Sequence, residues 1–208
     1  MLDLEVNAFV QRLAAAVHAR GEPWIRDVVP ALGGLALHFD PDFEGSVSDV
    51  AAELVERCLK DGLPPAGDLG RDVEVPVCYD RVFAPDLEEV AAKTGLSPEE
   101  VAARHMAGEY RVLMIGFAPG HAYMSGLEAK LAVPRRASPR AVVPTGSVAI
   151  ANEQTVIYPY AIAGGWNIIG RTPLAVFDAK RELPSLFAAG DRVRFRAISA
   201  AEFEGFAK

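Results

Sequence analysis

The densest group of residues that could do chemistry lies in segment 116–140, which reads GFAPGHAYMSGLEAKLAVPRRASPR. His121 is our candidate for general acid–base catalysis, because imidazole titrates near neutral pH and Gly120 leaves its surroundings open. The segment also holds three guanidiniums, those of Arg135, Arg136 and Arg140. Guanidiniums this close together suit a carboxylate or phosphate ligand. The alternative for the segment is a solvated basic loop.

Residues 165–172, GWNIIGRT, have the spacing of a phosphate-binding loop with arginine in place of lysine. Such a loop needs a strand before it and a helix after it, whereas Pro173 and the strand-like LAVF follow here. We therefore expect no Walker loop, and Arg171 is kept as a candidate that contacts an anion from a β-turn. The histidines and cysteines show no HxxxH or CxxC spacing, so no protein-built metal site is predicted.

Carboxylates that could support a catalytic histidine are scarce. Between Arg111 and Arg171 the chain has only Glu128 and Glu153. Ser147 follows a glycine but lacks the G-x-S-x-G pattern of a nucleophile elbow. The segment therefore has many hydrogen-bond donors and few bases. This pattern favours half of a site, completed by another chain, rather than a self-contained serine hydrolase.

The charge distribution divides the elements that must position these residues into two regions. Residues 1–80 carry 6 basic and 15 acidic side chains, and residues 81–208 carry 15 basic and 13 acidic ones. This asymmetry suggests two regions with different roles. The net charge of −7 argues against general nucleic-acid binding, which needs a basic surface.

The composition is that of a globular protein. Of the 208 residues, 50% are hydrophobic and 24% are charged, which excludes collagen-like and disordered classes. No run of about 18 apolar residues exists, so we predict no membrane span. Two cysteines without metal or redox spacing fit a reducing compartment, and we expect a cytoplasmic protein.

The first region, residues 1–80, is predicted to be an N-terminal α+β domain. Apolar residues recur at helical spacing from Val6 to Arg20 and again after a cap at Ser46 or Ser48. Strands are predicted at three places: 25–29, 35–39 and 73–79. The order helix, strand, strand, helix, strand is that of a ferredoxin-like unit whose first strand is missing.

A helical pair and a β-rich region are predicted to follow. The pair occupies residues 81–109; Ser97 and Glu100 form a capping box, and His105 lies near the second helix's C-terminus, where positive charge is favoured. Residues 110–208 contain short strand-like runs that fit a barrel or sandwich. These runs are 111–117, 147–151, 155–158, 166–169, 174–177 and 192–198.

Several spaced blocks carry a family resemblance that spans about residues 5–200. They include GFAPGHAYMSGL, AVPRRASPR, VPTGSVAIANEQTVIYPYAIAGGWNIIGRTPLAVFD and AGDRVRF. In this order the blocks resemble the allophanate hydrolase subunit 1 family. That family includes the B subunit of bacterial ATP-dependent 5-oxoprolinase, the Kip-type inhibitor of a sporulation kinase, and a carboxyltransferase half of urea carboxylase.

The resemblance implies a fold, a function and partners. The fold is α+β, with an N-terminal α/β domain and a C-terminal cyclophilin-like β-barrel that carries the site. The function would be to help open 5-oxo-L-proline to L-glutamate with ATP, as one subunit that is inactive alone. The partners would be an allophanate hydrolase subunit 2-type sibling, which is the C subunit of 5-oxoprolinase, and the lactam-utilisation-type A subunit. ATP, with Mg, would bind mainly at the partner, and nucleic acid and membrane are not expected partners.

The family's signature positions extend the candidate site. His121 and Arg171 are the expected catalytic residues. The expected substrate-binding residues are Phe117, Gly120, Tyr123, Arg135, Arg136, Arg140, Ser147, Gln154, Tyr158, Trp166 and Thr172. Many members read PGFPY where this chain reads PGHAY, so His121 departs from the pattern. A Kip-type kinase inhibitor and a carboxyltransferase half are the alternative functions.

Overall fold

The computed structural model describes residues 3–65 and 70–206. The chain forms two compact units, Met1–Gly70 and Arg71–Lys208. The division therefore falls before the boundary that the sequence predicts at residue 80. Within the described ranges, none of the helices has the length and apolar character required to cross a membrane.

The first unit has two helices and a two-stranded antiparallel sheet. Its elements are α1 (Leu4–Arg20), β1 (Ile25–Pro30), β2 (Leu35–Phe39) and α2 (Val47–Asp61). Each helix begins where a short polar side chain accepts backbone N–H bonds: Asp3 caps α1, and Ser46 caps α2. Leu13 and Val17 of α1 pack with Leu54 and Cys58 of α2 to form the core of this unit.

The ferredoxin-like arrangement predicted for this region is not confirmed. The strand expected at 73–79 is β3 (Asp72–Val77), and it belongs to the second unit. It pairs in parallel with β11 (Arg192–Ala197), 120 residues later in the chain. Alternating apolar residues predict that a segment is a strand, but they do not identify its partner. The antiparallel pair β1–β2 therefore stands as its own sheet.

The second unit contains the other elements. The helices are α3 (Leu87–Thr94), α4 (Pro98–Ala107) and α5 (Ala200–Gly205). The remaining strands are β4 (Tyr110–Ile115), β5 (Ala122–Ser125), β6 (Arg140–Val143), β7 (Ser147–Ala151), β8 (Gln154–Ile157), β9 (Ile162–Gly164) and β10 (Asn167–Arg171). The predicted capping box of Ser97 and Glu100 opens α4.

Seven strands of this unit form a barrel-like sheet, as predicted. Their order is β10-β7-β8-β5-β4-β11-β3. The two outer strands approach each other just beyond β3, where Cys78 N donates to Arg171 O at 2.8 Å and Arg171 N donates to Cys78 O at 2.9 Å. Strands β6 and β9 form a separate pair. A nearly closed sheet satisfies the backbone groups that an open edge would leave unpaired.

Two local expectations for this unit are wrong. The run Leu174–Phe177 is not a strand, and only Phe177 forms an isolated bridge, to Ser185. His105 does not carry the positive charge expected at a helix end, because burial lowers its pKa to about 3. Its side chain points into the barrel core, where desolvation outweighs the favourable helix dipole.

Candidate functional site

A cavity of about 330 Å³ opens in the second unit and collects much of the predicted site. Seven predicted residues line it: Phe117, His121, Tyr123, Arg135, Arg136, Tyr158 and Trp166. Pro139, Ala163, Gly164 and Gly165 complete the wall. Aromatic walls with a few polar groups are typical of a small-molecule site.

A tight turn at residues 117–121 sets the position of the cavity's histidine. Phe117 has a φ of 69° although it is not glycine, and the residue is 69% exposed. At Gly120, φ is 76°, and a Cβ there would lie 2.6 Å from Phe177 Cβ. The backbone N–H of His121 donates to Ala118 O at 3.0 Å. Gly120 thus has a structural reason to be glycine, and an uncommon backbone conformation at Phe117 borders the cavity.

His121 is a buried, neutral imidazole. The residue is 2% exposed, and desolvation lowers the pKa of its imidazole to about 4, while a hydrogen bond with its own backbone acts in the opposite direction. Among the described residues, its Nδ1 has no hydrogen-bond partner. The rings of Phe117, Tyr123 and Tyr158 surround it at centroid distances of 5.4, 4.9 and 5.2 Å. At neutral pH His121 can therefore offer a hydrogen bond to a ligand but is a weak general base.

The three clustered arginines have different partners. Arg135 lies over Trp166, with its guanidinium carbon 5.5 Å from the ring centroid. Arg136 and Arg140 instead form ion pairs with buried Asp86, each at 2.7 Å. Within residues 3–65 and 70–206, Arg135 forms no ion pair, so its charge is available to an anionic ligand.

Two tyrosines form part of the remaining wall. Burial raises the pKa of Tyr123 and of Tyr158, so both stay neutral phenols. A Cβ on Gly164 would lie 2.1 Å from the Tyr158 hydroxyl, so only glycine fits against that ring. The wall beside His121 is therefore mostly flat aromatic surface, suited to a small ring.

Other predicted residues do not line this cavity in the part of the chain that the structure describes: Gly120, Arg140, Ser147, Gln154, Arg171 and Thr172. Arg171 Nε donates to Thr145 O at 2.7 Å, and its guanidinium carbon lies 5.8 Å from the Phe203 ring centroid. Ser147 and Thr172 are buried in the barrel. The structure thus does not bring Arg171 and His121 together here, and a catalytic role for Arg171 stays a prediction.

Asp86 lies behind the cavity wall, bonded to Arg136 of its lining, and no sequence pattern indicated this role. It occupies the N-cap position of α3 but makes no side-chain capping bond. Aspartate is common just before a helix, so neither its type nor its position marks it as a partner of the arginines. Only the folded chain shows that two arginines, 50 and 54 residues later, bind this carboxylate.

The described residues do not provide a divalent-metal site. In the ranges 3–65 and 70–206, no three His, Cys, Asp or Glu side chains gather to hold an ion. Magnesium is usually bound through carboxylates and substrate phosphates. The donor set found here therefore does not fit Mg, and no chemical step of this unit is assigned to the ion.

Comparisons with known proteins agree with one another. Residues 1–187 match the family model described as carboxyltransferase domain, subdomain C and D. A Bacillus subtilis protein, named as the B subunit of 5-oxoprolinase, is 40% identical over 97% of this chain and 88% of its own length. An Escherichia coli protein with the same name is 48% identical over 60% of this chain and 57% of its own length.

A solved structure, that of TTHA0988, has the same fold. It superimposes with a TM-score of 0.82 and 40% identity over 96% of this chain. The present chain spans 38% of the length of the TTHA0988 chain. The shared fold thus occurs as part of a longer polypeptide.

Proposed function

The chain belongs to the family of the carboxyltransferase domain, subdomain C and D, and we propose that it acts as the B subunit of an ATP-dependent 5-oxoprolinase. The identity to the Bacillus subtilis protein of that name across 97% of the chain carries this proposal. The reaction opens 5-oxo-L-proline, a five-membered lactam with one carboxylate, to L-glutamate.

The chemistry of the cavity supports this choice of substrate. Arg135 supplies a guanidinium that can pair with the substrate carboxylate. Trp166, Tyr123 and Tyr158 supply flat surface against which a five-membered ring can pack. The imidazole of His121 also lines the cavity, and its buried Nδ1 has no partner among the described residues; a hydrogen bond with the polar lactam group, once the ring turns toward it, would remove that cost.

The proposal includes a second chain that completes the site. Partners of the allophanate hydrolase subunit 2 type and of the lactam-utilisation type would supply what this cavity lacks. ATP with Mg would bind mainly there, because the described residues of this chain offer no carboxylate cluster for the ion. The role of this chain would be to bind and orient the lactam.

The test is reconstitution of the complex. The chain is co-expressed with a subunit 2-type and a lactam-utilisation-type partner, and 5-oxoproline-dependent ATP hydrolysis is measured. We expect turnover only when all subunits are present. A well-folded complex without turnover would overturn the proposal and direct attention to kinase inhibition or carboxyl transfer.

Variants of the same complex test the site. His121→Ala should lower kcat/KM by at least about tenfold, the value of one lost hydrogen bond. His38→Ala, which removes an exposed histidine of β2, is the matched control and should keep full activity. Arg171→Ala tests the predicted catalytic arginine in the same assay. Unchanged rates in both His121→Ala and Arg171→Ala would remove the catalytic assignment.

A further inference from the structure

Asp86 is a buried carboxylate that lies at the meeting point of three segments of the second unit. Its side chain is 3% exposed. Oδ1 accepts from Arg136 Nη1 and from Arg140 Nη2, each at 2.7 Å. Oδ2 accepts from Arg140 Nη1 at 2.9 Å and from the Ile168 backbone N–H at 2.7 Å. Both carboxylate oxygens are thus fully used by partners on other elements.

These bonds fix the position of the arginine segment against β10. The Asp86 backbone N–H also donates to Ile168 O at 3.0 Å, so Asp86 is hydrogen-bonded to β10 through both its backbone and its side chain. The Arg136 backbone N–H donates to Gly165 O at 2.7 Å. Arg136 and Arg140 therefore hold both ends of a short segment in place.

Arg135 is the neighbour of this anchored segment. Its guanidinium lies over Trp166, which directly precedes β10. An arginine side chain loses much rotamer freedom when it is held in one geometry, so a fixed backbone lowers the cost of placing it. Asp86 does not line the cavity, and its influence on Arg135 passes through Arg136 and Arg140.

We propose that Asp86 is a positioning residue that holds segment 135–140 so that Arg135 stays over Trp166 at the cavity. Its kinetic consequence rests on the proposed function, and its structural consequence does not. An anchor for the substrate carboxylate acts equally on bound substrate and transition state. Loss of the anchor therefore raises KM and leaves kcat nearly unchanged.

The first test uses the free protein and needs no substrate. In a Trp24→Phe background, Trp166 is the one remaining tryptophan, and its emission reports the Arg135 contact. Arg135→Ala defines the shift that follows loss of this contact. Asp86→Asn should produce a shift of the same size, and the double variant should shift no further. An unchanged emission in Asp86→Asn would overturn the proposal.

Two matched controls separate positioning from general loss of stability. Asp191 is also buried, pairs with Arg71 at 2.6 Å, and accepts the Ala188 N–H at 2.9 Å, but does not line the cavity. Asp191→Asn should therefore lower the unfolding midpoint and leave Trp166 emission unchanged. Glu89→Gln removes the exposed second partner of Arg136 and should also leave the emission unchanged.

The second test uses the reconstituted complex. Asp86→Asn should raise KM for 5-oxoproline about tenfold with kcat within about twofold, the pattern of lost uniform binding. If Asp86→Asn shifts the Trp166 emission but leaves KM for 5-oxoproline normal, Asp86 has only a structural role and the positioning proposal is overturned. If Asp86→Asn does not fold, Arg140→Gln removes the ion pair between Asp86 and Arg140 from the arginine side and must give the same results. If the wild-type complex gives no turnover, the proposed function fails, and the emission data alone decide the positioning role.

Discussion

The barrel core and the cavity wall each contain a buried, neutral histidine, and the two differ in their partners. In the core, Tyr79 Oη lies 2.8 Å from Nδ1 of His105, and Thr155 Oγ1 lies 3.1 Å from its Nε2. At the cavity, Nδ1 of His121 has no partner among the described residues. Burial lowers the pKa of both side chains, to about 3 in the core and about 4 at the cavity.

The tautomer of the neutral core histidine follows from its partners. Thr155 Oγ1 lies 3.2 Å from Ala149 O, and because a carbonyl only accepts, the threonine donates its one hydrogen there. Thr155 must then accept from Nε2–H of His105, and Nδ1 accepts from the Tyr79 hydroxyl. Every polar atom of this network has a partner within the chain, whereas Nδ1 of His121 is buried without one among the described residues.

A lowered pKa therefore does not distinguish a core histidine from a histidine at the cavity. Both shifts have the same largest cause, desolvation. What distinguishes the two side chains is hydrogen bonding: one network is complete and one is open beside a cavity. Their variants should therefore divide into losses of stability and losses of activity.

The largest expected effect on stability comes from the core. His105→Ala leaves the Tyr79 hydroxyl and Thr155 Oγ1 each short of a partner and opens a hole in a packed core, which together cost about 3 kcal/mol. His121→Ala removes no internal hydrogen bond of Nδ1 and should cost about 1 kcal/mol. Urea unfolding followed by Trp166 emission, with Trp24 replaced by Phe, measures both. Equal costs would contradict the distinction.

The fold could be predicted well wherever local patterns decide it. Helix caps such as Ser97, and the short punctuated strands of residues 110–208, follow from residue type and spacing. The place of β3 could not be predicted, since its partner β11 lies 120 residues later. The prediction for 174–177 was wrong although an apolar pattern is present, because among the described residues only Phe177 of this run forms a bridge, to Ser185.

The site could be predicted as a segment but not as a geometry. The spacing of polar residues in 116–140 led to His121 and Arg135, and both line the cavity. The sequence could not show that Arg136 and Arg140 are bound by a carboxylate from α3's N-terminus. Nor could it show that His121 is neutral, because desolvation is a property of the folded surroundings.

The pH dependence of stability should reveal the neutral state of both histidines. Each pKa is lowered from 6.5 on folding, so each neutral side chain contributes stability that is fully present above pH 6.5. That contribution is lost as the pH falls, at about 1.4 kcal/mol per pH unit, until the folded pKa is reached. The loss therefore ends at about pH 4 for His121 and continues to about pH 3 for His105.

His121→Phe tests this window without emptying the cavity wall. Between pH 6.5 and pH 4, its free energy of unfolding should fall less steeply than that of the wild type, by about 1.4 kcal/mol per unit. Below that range the two curves should run parallel. Urea unfolding at a series of pH values gives the difference. Curves that are parallel throughout would show that His121 titrates normally in the folded protein.

A smaller effect than that of His105→Ala is expected for Thr155→Val, which keeps the shape of the side chain and removes its Oγ1. His105 Nε2–H then has no acceptor, and Ala149 O loses one donor, at a cost of about 1 kcal/mol. Because the same bond is already absent in His105→Ala, the double variant should cost less than the sum of the two, with a coupling energy of about 1 kcal/mol. KM for 5-oxoproline should not change, since Thr155 does not line the cavity. Full additivity in urea unfolding would show that the hydrogen bond between Thr155 and His105 contributes nothing to stability. Burial alone would then account for the neutral state of His105.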